Sequence, residues 1–430
     1  MQSPHGVGIE AISVCVPRYW LPLTALAEAN GVEPAKYAVG LGVEGMAVTH
    51  PNEDAVTMAV EASDALLKRY DIDRHSIGLL VVGSETGVDA AKPIAAYVHG
   101  LLGLPFACRT LDTKHACYSA TAALALARDW CAGSGRGRKA LIIATDIARY
   151  EVGSAGEPTQ GAGAVAMLVG DHPSVFVFEP YREAFFARHV MDFWRPHYRS
   201  TAIVDGPASV ESYLAALEST YADFERHSGL GWDDFEYLLF HVPFPKMACK
   251  AFKLLYEREV ARRNGSGMTQ ALGEAFESRT VPSLWPNRAM GNLYSGSLYA
   301  SLAGLLERGD GSVEGARAGL FSYGSGCCGE FFSGRVGPDA AAWRGKIDIA
   351  GQIKRRTRLD YTGYISFREQ SARLAEEGSH TGGAVPGGHF GRVAFLGIKD
   401  HQRVYESSPR PAVSDTPFLP AYNASAHTGK

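Results

Sequence analysis

The sequence predicts an α/β protein, and three observations carry that prediction. Short, wholly apolar runs alternate with longer stretches of helical periodicity, the pattern of strands covered by helices on both faces. Of the 430 residues, 46% are hydrophobic and 20% charged, which supplies a large core and excludes a mainly disordered chain. Glycine occurs 48 times, above its usual share of about 7%, so many tight turns separate the runs.

Taken in order, Ala55–Tyr70 is amphipathic and predicts a helix, and Gly78–Gly83 (GLLVVG) predicts a core strand. Pro93–Leu102 is a shorter helix, and Cys108–Thr113 reads as a strand and turn. Cys117–Trp130 is an alanine-rich helix, followed by core strands at Ala140–Thr145 and Ala164–Gly170. The second half repeats the theme less regularly. Its helices are expected at Ser209–His227, Met247–Arg263 and Ser297–Arg308, and its strands at Tyr237–His241 and Ala318–Tyr323. Two comparable halves, 1–172 and 173–406, therefore meet near Gly170–Ser174. From about Arg373 the pattern loosens. Gly378–Gly388 is a glycine-rich loop, Phe390–Ile398 a last β-like run, and 407–430 a Pro/Ser-rich tail expected to be mobile.

Charge and cysteine usage exclude several classes. Lys plus Arg is 42 and Asp plus Glu is 46, so a net charge of −4 gives no global field for nucleic acid or an anionic membrane. No window reaches about 18 uncharged apolar residues, so no membrane span is expected. The seven cysteines are scattered and form no C-x-x-C pair, which argues against a disulfide scaffold or a structural zinc site. Met1–Pro17 lacks the basic and apolar regions of a signal peptide, so reduced thiols in the cytoplasm are expected. Gly133–Lys139 is basic and glycine-rich but lacks a P-loop pattern and reads as a solvated turn. Without a secretory signal, the acceptor pattern Asn423-Ala-Ser425 carries no weight. Cys327 and Cys328 read as small core side chains in a tight turn.

Four segments can carry chemistry. Cys117 falls between the Cys108–Thr113 turn and the alanine-rich helix, at or near a helix N-terminus. There the macrodipole and free N–H groups would stabilise a thiolate and lower its pKa; the alternative is a buried structural cysteine. Nothing in the spacing aims His115 at the sulfur, and it receives no role. His241 and Glu85 each follow an apolar strand, where catalytic groups of α/β proteins collect. Desolvation would raise the Glu85 pKa toward that of a general acid/base, whereas a surface glutamate would be inert; His241 is otherwise a core imidazole. Gly324-Ser325-Gly326 could turn backbone N–H groups toward an oxyanion, though such turns are common.

These segments, with others in the same order along the chain, resemble hydroxymethylglutaryl-CoA synthase, a family of the thiolase superfamily. The resemblance runs from about Val7 to Tyr405. It rests on Lys36-Tyr37-Ala38-Val39-Gly40-Leu41-Gly42, Gly83-Ser84-Glu85-Thr86-Gly87-Val88-Asp89, Ala116-Cys117-Tyr118 and the stretch from Ala144 to Tyr150. It continues through Gly156–Ala166, Met191–Pro196, Phe240-His241-Val242-Pro243-Phe244, Gly291-Asn292-Leu293-Tyr294 and Ser322-Tyr323-Gly324-Ser325-Gly326. Each motif is weak alone; nine in order are highly specific.

The resemblance implies a thiolase-like five-layered αβαβα fold of two related halves, and a homodimer. It implies that Cys117 accepts acetyl from a thioester, that Glu85 removes a methyl proton, and that His241 positions and polarises the acetoacetyl ketone. Asn292 and Ser325 match acyl-binding and oxyanion positions; Asp146, Tyr150, Asp192 and Tyr294 match other substrate-pocket positions. Lys36, Lys246 and Lys250 match lysines that meet CoA phosphates. The implied reaction joins acetyl-CoA to acetoacetyl-CoA and then hydrolyses the cysteine thioester, without metal or redox cofactor, in mevalonate-type isoprenoid synthesis. The competing relative takes acetyl from an acyl carrier protein to install a polyketide β-branch. Lys246 and Lys250, four apart on a predicted helix, present both ammonium groups on one face and favour free CoA. A decarboxylating ketosynthase would want histidine or asparagine in place of Glu85, and a non-catalytic scaffold would not need the triad.

Overall fold

Nine strands form one sheet, and the alternation of side chains along them decides which core each residue joins. In chain order they are β1 (Gly8–Cys15), β2 (Ile77–Gly83), β3 (Arg109–Thr113), β4 (Lys139–Ile147), β5 (Ala162–Gly170), β6 (Phe176–Ala187), β7 (Tyr237–Phe240), β8 (Arg317–Gly324) and β9 (Cys328–Val336). The computed structural model describes residues 6–135, 137–265, 268–309, 313–339, 342–376, 378–379 and 392–407. The expected loop at Gly378–Gly388 lies almost wholly outside these residues, and the 407–430 tail does so beyond Ser407.

The order across the sheet is β7-β8-β9-β6-β1-β5-β4-β2-β3. β2 pairs with β4 in parallel, and β4–β5 and β5–β1 are antiparallel. The same sequence of relations returns in β7–β8 parallel, β8–β9 antiparallel and β9–β6 antiparallel. The chain thus contains two halves of one design. They join where β1 and β6 pair over only two residues, Gly8 with Val177 and Ile9 with Phe176.

Six helices complete the layers: α1 (Ala55–Arg69), α2 (Ile94–Leu102), α3 (Ser119–Ala132), α4 (Gly206–Ser228), α5 (Pro245–Arg262) and α6 (Ser297–Arg308). Successive strand residues point to opposite faces. Leu80 and Val82 of β2 accordingly pack with α1 and α2, while Leu79 and Val81 join α3 and α6 in the central core. In the other half, Leu238 and Phe240 pack with α4 and α5, and Leu239 enters the central core. The layers are therefore helix, sheet, helix, sheet, helix. Among the described residues no helix is long and apolar enough to cross a membrane.

The expected helices and strands form within a few residues of their sequence bounds. The Cys117–Trp130 helix is a correction: it starts at Ser119, with Tyr118 as its cap, so Cys117 lies just outside it. The apolar-run criterion also missed β1, β6 and β9. Both β1 and β9 bury a carboxylate: Glu10 pairs with Lys139, and Glu330 accepts from the Tyr118 hydroxyl at 2.6 Å. β6 carries Glu179, Tyr181 and Arg182 on an exposed stretch around Pro180. Beyond the sheet, the hairpin Val393–Lys399 and Gln402–Ser407 docks on α1. Arg403 there reaches Asp54, the helix's capping residue, at 2.7 Å.

Candidate active site

Glu85 follows β2, the Cys117 turn follows β3, Asp146 closes β4, His241 follows β7 and Ser325 follows β8. Parallel neighbours β2 and β4, and β7 and β8, end on the same side, so these chain ends converge on one place. Two glycines allow it. A Cβ at Gly83 would stand 2.5 Å from the Ala120 nitrogen, and one at Gly324 would stand 2.4 Å from the His115 carbonyl oxygen. Both strand ends therefore abut the Cys117 turn backbone to backbone. Ala116 adopts φ 42°, a conformation L-residues seldom take, and so turns the chain sharply just before the cysteine.

The Cys117 thiol donates to Glu85 Oε1 at 3.2 Å. Desolvation, then the neighbouring Asp146 carboxylate, pushes the Glu85 pKa up to about 8. The expectation of a lowered Cys117 pKa is corrected. Desolvation and the charges of Glu85, Asp146 and Asp192 push it well above the usual range, and the sulfur lies outside the helix whose dipole would oppose them. The resting proton is therefore on sulfur, with an acceptor already in contact. The His115 ring is directed instead toward the Ser325–Gly326 turn.

Asp146 is fully buried and organises the Glu85 loop. It accepts from the Ser84 hydroxyl (2.9 Å), the Glu85 N–H (2.9 Å), and the Thr86 N–H (3.1 Å) and hydroxyl (2.9 Å). On its other oxygen it accepts from the N–H (3.1 Å) and hydroxyl of Ser295. Arg195 donates to the Glu85 carbonyl and adds positive charge beside the carboxyl.

His241 is 3% exposed, and burial lowers its pKa to about 3, so the ring is neutral. Its carbonyl accepts from the Tyr213 hydroxyl at 2.8 Å, and its N–H donates to Phe321 in β8 at 2.7 Å. Asp192 is fully buried and ties the Ser325 turn down, accepting from the Tyr323 hydroxyl (2.7 Å) and the Gly326 N–H (2.9 Å). Asn292 Oδ1 accepts from the Tyr294 N–H (2.8 Å) and the Ser297 hydroxyl (2.9 Å), which leaves its amide N–H groups for the cavity. Tyr294 has φ 45°, and its hydroxyl is buried without a partner among the described residues.

A cavity of about 380 Å³ unites these groups. Cys117, His241, Tyr150, Asn292, Tyr294 and Ser325 line it, together with apolar residues including Phe193, Val210 and Met247. Glu85 is reached through Cys117, while Asp146 and Asp192 stand behind the wall as supports. Leu41 and Phe244 also line the cavity, and the Lys246 N–H donates to the Leu41 carbonyl at 3.0 Å. That bond joins the segment bearing Lys36 to the first turn of α5, and Lys36, Lys246 and Lys250 are all exposed.

The sequence had left Arg195, Tyr213, Tyr323 and Ser295 without roles. Arg195 and Tyr323 lie inside motifs that were already recognised, so position near Glu85 and Ser325 was a usable signal. Tyr213 and Ser295 act across the fold, and nothing local marks them.

Residues 3–174 match the N-terminal hydroxymethylglutaryl-coenzyme A synthase family, and residues 176–271 and 254–378 match its C-terminal family. The chain is 40% identical to the hydroxymethylglutaryl-CoA synthase of Enterococcus faecalis over 86% of its own length and 92% of that protein's. It is 34% identical to the polyketide biosynthesis 3-hydroxy-3-methylglutaryl-ACP synthase PksG of Bacillus subtilis, over 83% and 86%. Among solved structures, MvaS in complex with 3-hydroxy-3-methylglutaryl coenzyme A superposes with a TM-score of 0.85 at 40% identity, covering 94% of this chain and 99% of that one. The curacin pathway HMG synthase in complex with holo donor-ACP gives 0.82 at 33%, covering 93% and 99%. Together with the thiol–carboxyl pair set in a cavity at the strand ends, these likenesses mean that the chain belongs to the hydroxymethylglutaryl-CoA synthase family, acyltransferases that form a carbon–carbon bond.

Proposed function

We propose that the chain condenses acetyl-CoA with acetoacetyl-CoA through an acetyl-Cys117 intermediate. The observation that carries this is the Cys117–Glu85 contact, opening onto a cavity that His241 also lines. The Cys117 proton passes to the Glu85 carboxylate as sulfur attacks the acetyl carbonyl, and the departing CoA thiolate takes a proton back. Glu85 then removes a methyl proton from the acetyl-enzyme. The carbanion attacks the acetoacetyl ketone, whose oxygen the neutral His241 steadies by a hydrogen bond, and the resulting alkoxide is protonated by Glu85. Holding acetyl on sulfur makes this step effectively intramolecular. Water finally cleaves the Cys117 thioester, releasing hydroxymethylglutaryl-CoA. Asn292 and Ser325 serve the acyl oxygens, Tyr150 and Tyr294 shape the pocket, and Asp146 and Asp192 hold the loops that bear the reacting groups.

Every step is acid–base or acyl chemistry, for which these side chains suffice without metal or redox cofactor. Lys36, Lys246 and Lys250 meet CoA phosphates, in keeping with a mevalonate-type role. The seven unpaired thiols suit a reducing cytoplasm. In a homodimer, β3 is the edge that pairs. It ends the sheet, is exposed at Arg109, and stands beside Phe106, which is 75% exposed. The division of the chain is read as 1–172 and 173–406.

A carrier-protein donor remains the second reading, because relatives at similar identity are named for it. The deciding experiment offers purified protein acetyl-CoA or acetyl-carrier protein and measures acetyl-Cys117 formation by mass spectrometry. Faster acetylation by acetyl-CoA supports the proposal; acetylation by the carrier protein alone overturns it in favour of β-branching.

A further inference from the structure

The start of α3, next to the nucleophile, is anchored in the other half of the chain. Ser322 of β8 and Glu330 of β9 stand directly opposite each other in the antiparallel pair, so their side chains share one face of the sheet. Tyr118 and Thr121, three residues apart, meet that face together. The Tyr118 hydroxyl donates to Glu330 Oε2 at 2.6 Å, and the Thr121 hydroxyl donates to Ser322 Oγ at 2.7 Å.

Glu330 is 3% exposed, and a carboxylate buried on a strand is costly unless it is paired. Among the described residues it has no ion pair, and the Tyr118 hydroxyl is its one hydrogen-bond donor. Arg128 lines the same small cavity but donates to Glu183 and Asp129 instead. Burial pushes the Glu330 pKa up to about 7, and the Tyr118 hydrogen bond opposes that rise. A leucine would cost the fold less here, so stability does not account for the acid.

What the bond holds is the residue after Cys117. The Tyr118 N–H closes the turn on the His115 carbonyl at 3.0 Å, across Ala116 with its φ of 42°. A Cβ at Gly324 would stand 2.7 Å from Tyr118 Cβ, so β8 confines Tyr118 near its backbone while β9 holds its hydroxyl. We propose that Glu330 is a positioning residue for acetyl transfer: it holds the Tyr118 hydroxyl, and through it the turn that sets the Cys117 thiol against Glu85. Neither Glu330 nor Tyr118 lines the active-site cavity, so the effect reaches the thiol and not the binding of the donor. The inference rests on acetyl-Cys117 as the first intermediate, and the donor used is whichever thioester acetylates the wild type.

The test measures acetyl-Cys117 formation by mass spectrometry against donor concentration, with the melting temperature beside it. Glu330→Leu should lower the saturating acetylation rate on the order of 10- to 100-fold, as displacement of a reacting atom does. The half-saturating donor concentration should change less than twofold, and the melting temperature should not fall, because an acid without a cation has given way to an apolar group. Glu330→Gln, which keeps an acceptor for Tyr118, should recover most of the rate. Tyr118→Phe should match Glu330→Leu, and the double variant should lose no more than either single one, since each breaks the same bond. If Glu330→Leu does not fold, Tyr118→Phe and Glu330→Gln carry the comparison. Acetylation at the wild-type rate by Glu330→Leu or Tyr118→Phe overturns the proposal. So do losses that multiply in the double variant, or a melting temperature that falls in step with the rate. Wild-type protein that no donor acetylates would overturn the proposed function itself, and this inference with it.

Discussion

Cys117 Sγ lies 3.2 Å from Glu85 Oε1, and the two groups affect each other's protons unequally. The carboxyl raises the proton affinity of the thiol, whereas the thiol's hydrogen bond favours the ionised carboxylate. One proton acceptor therefore serves both sulfur activation and the later carbon acid. Cys117→Ser is expected to abolish acetyl-enzyme formation. Glu85→Ala should still acetylate, since removing the carboxylate also removes a cause of the raised thiol pKa. Its condensation rate should fall by about 10²–10⁴-fold, the usual contribution of a general base. Mass spectrometry after incubation with acetyl-CoA reads the first step and product formation the second. Condensation by Glu85→Ala at the wild-type rate would remove Glu85 from the mechanism.

The pH profile should report the same group. Glu85 is raised to about 8, so below that pH its basic form declines roughly tenfold per unit. Condensation from pre-acetylated enzyme should therefore climb from pH 6 to a plateau above about pH 8. His241, lowered to about 3, stays neutral throughout and adds no inflection. A profile flat between pH 6 and 8 would mean that a different group moves the proton.

A buried acid away from the reaction should govern stability instead. Glu53 accepts the His50 N–H at 2.7 Å, and desolvation, helped by nearby Glu61 and Asp54, raises its pKa to about 7. A carboxyl that binds its proton more tightly when folded favours the folded state at low pH. That advantage is lost as pH rises from about 4.5 through 7. Glu53→Gln keeps the acceptor for His50 without the charge. It should leave the melting temperature unchanged at pH 4.5 and raise it at pH 8. The gain is at most about 3 kcal/mol, and less because Glu53 keeps some solvent contact. Thermal unfolding at the two pH values checks the sign; a lower melting temperature at pH 8 would refute it.

Legibility in the sequence followed chemistry more than location. β2 and β5 were plain because every residue is apolar, whereas β1 and β9 hide a glutamate whose partner, Lys139 or Tyr118, is far along the chain. Glu85, Cys117 and His241 were found because each follows an element that local pattern defines. The Cys117 pKa was misjudged for the converse reason. A helix N-terminus is a local feature, but the charges of Glu85, Asp146 and Asp192 that outweigh it arrive only with the tertiary fold. Tyr213 was invisible too, because its bond to the His241 carbonyl depends on the packing of α4.

The exposed lysines separate binding from chemistry. Lys246 and Lys250 are exposed and four residues apart on α5, so they bear on phosphate capture and not on the reacting carbons. Lys246→Ala with Lys250→Ala should raise KM for acetyl-CoA about tenfold while kcat changes less than twofold, and the KM difference should shrink in high salt. Steady-state kinetics at two ionic strengths provide the check. An unchanged KM would mean that CoA enters elsewhere.

The glycines beneath Cys117 allow a geometric test. At Gly324 a methyl group would stand 2.4 Å from the His115 oxygen and 2.7 Å from Tyr118 Cβ, and the oxygen is backbone that cannot rotate away. Gly324→Ala must therefore push the Cys117 turn outward, at about 1–3 kcal/mol in stability. The thiol would leave Glu85, and a displacement of about 1 Å is enough to cost on the order of 10²-fold in rate. Gly31, where an added Cβ meets nothing within 4 Å, is the control position for insertion of a methyl group, although its φ of 64° brings backbone strain of its own. Gly324→Ala should therefore lose acetylation far more than it loses melting temperature, and Gly31→Ala should do the reverse. Equal acetylation rates in the two variants would show that the close approach of β8 to the cysteine turn does not position the sulfur.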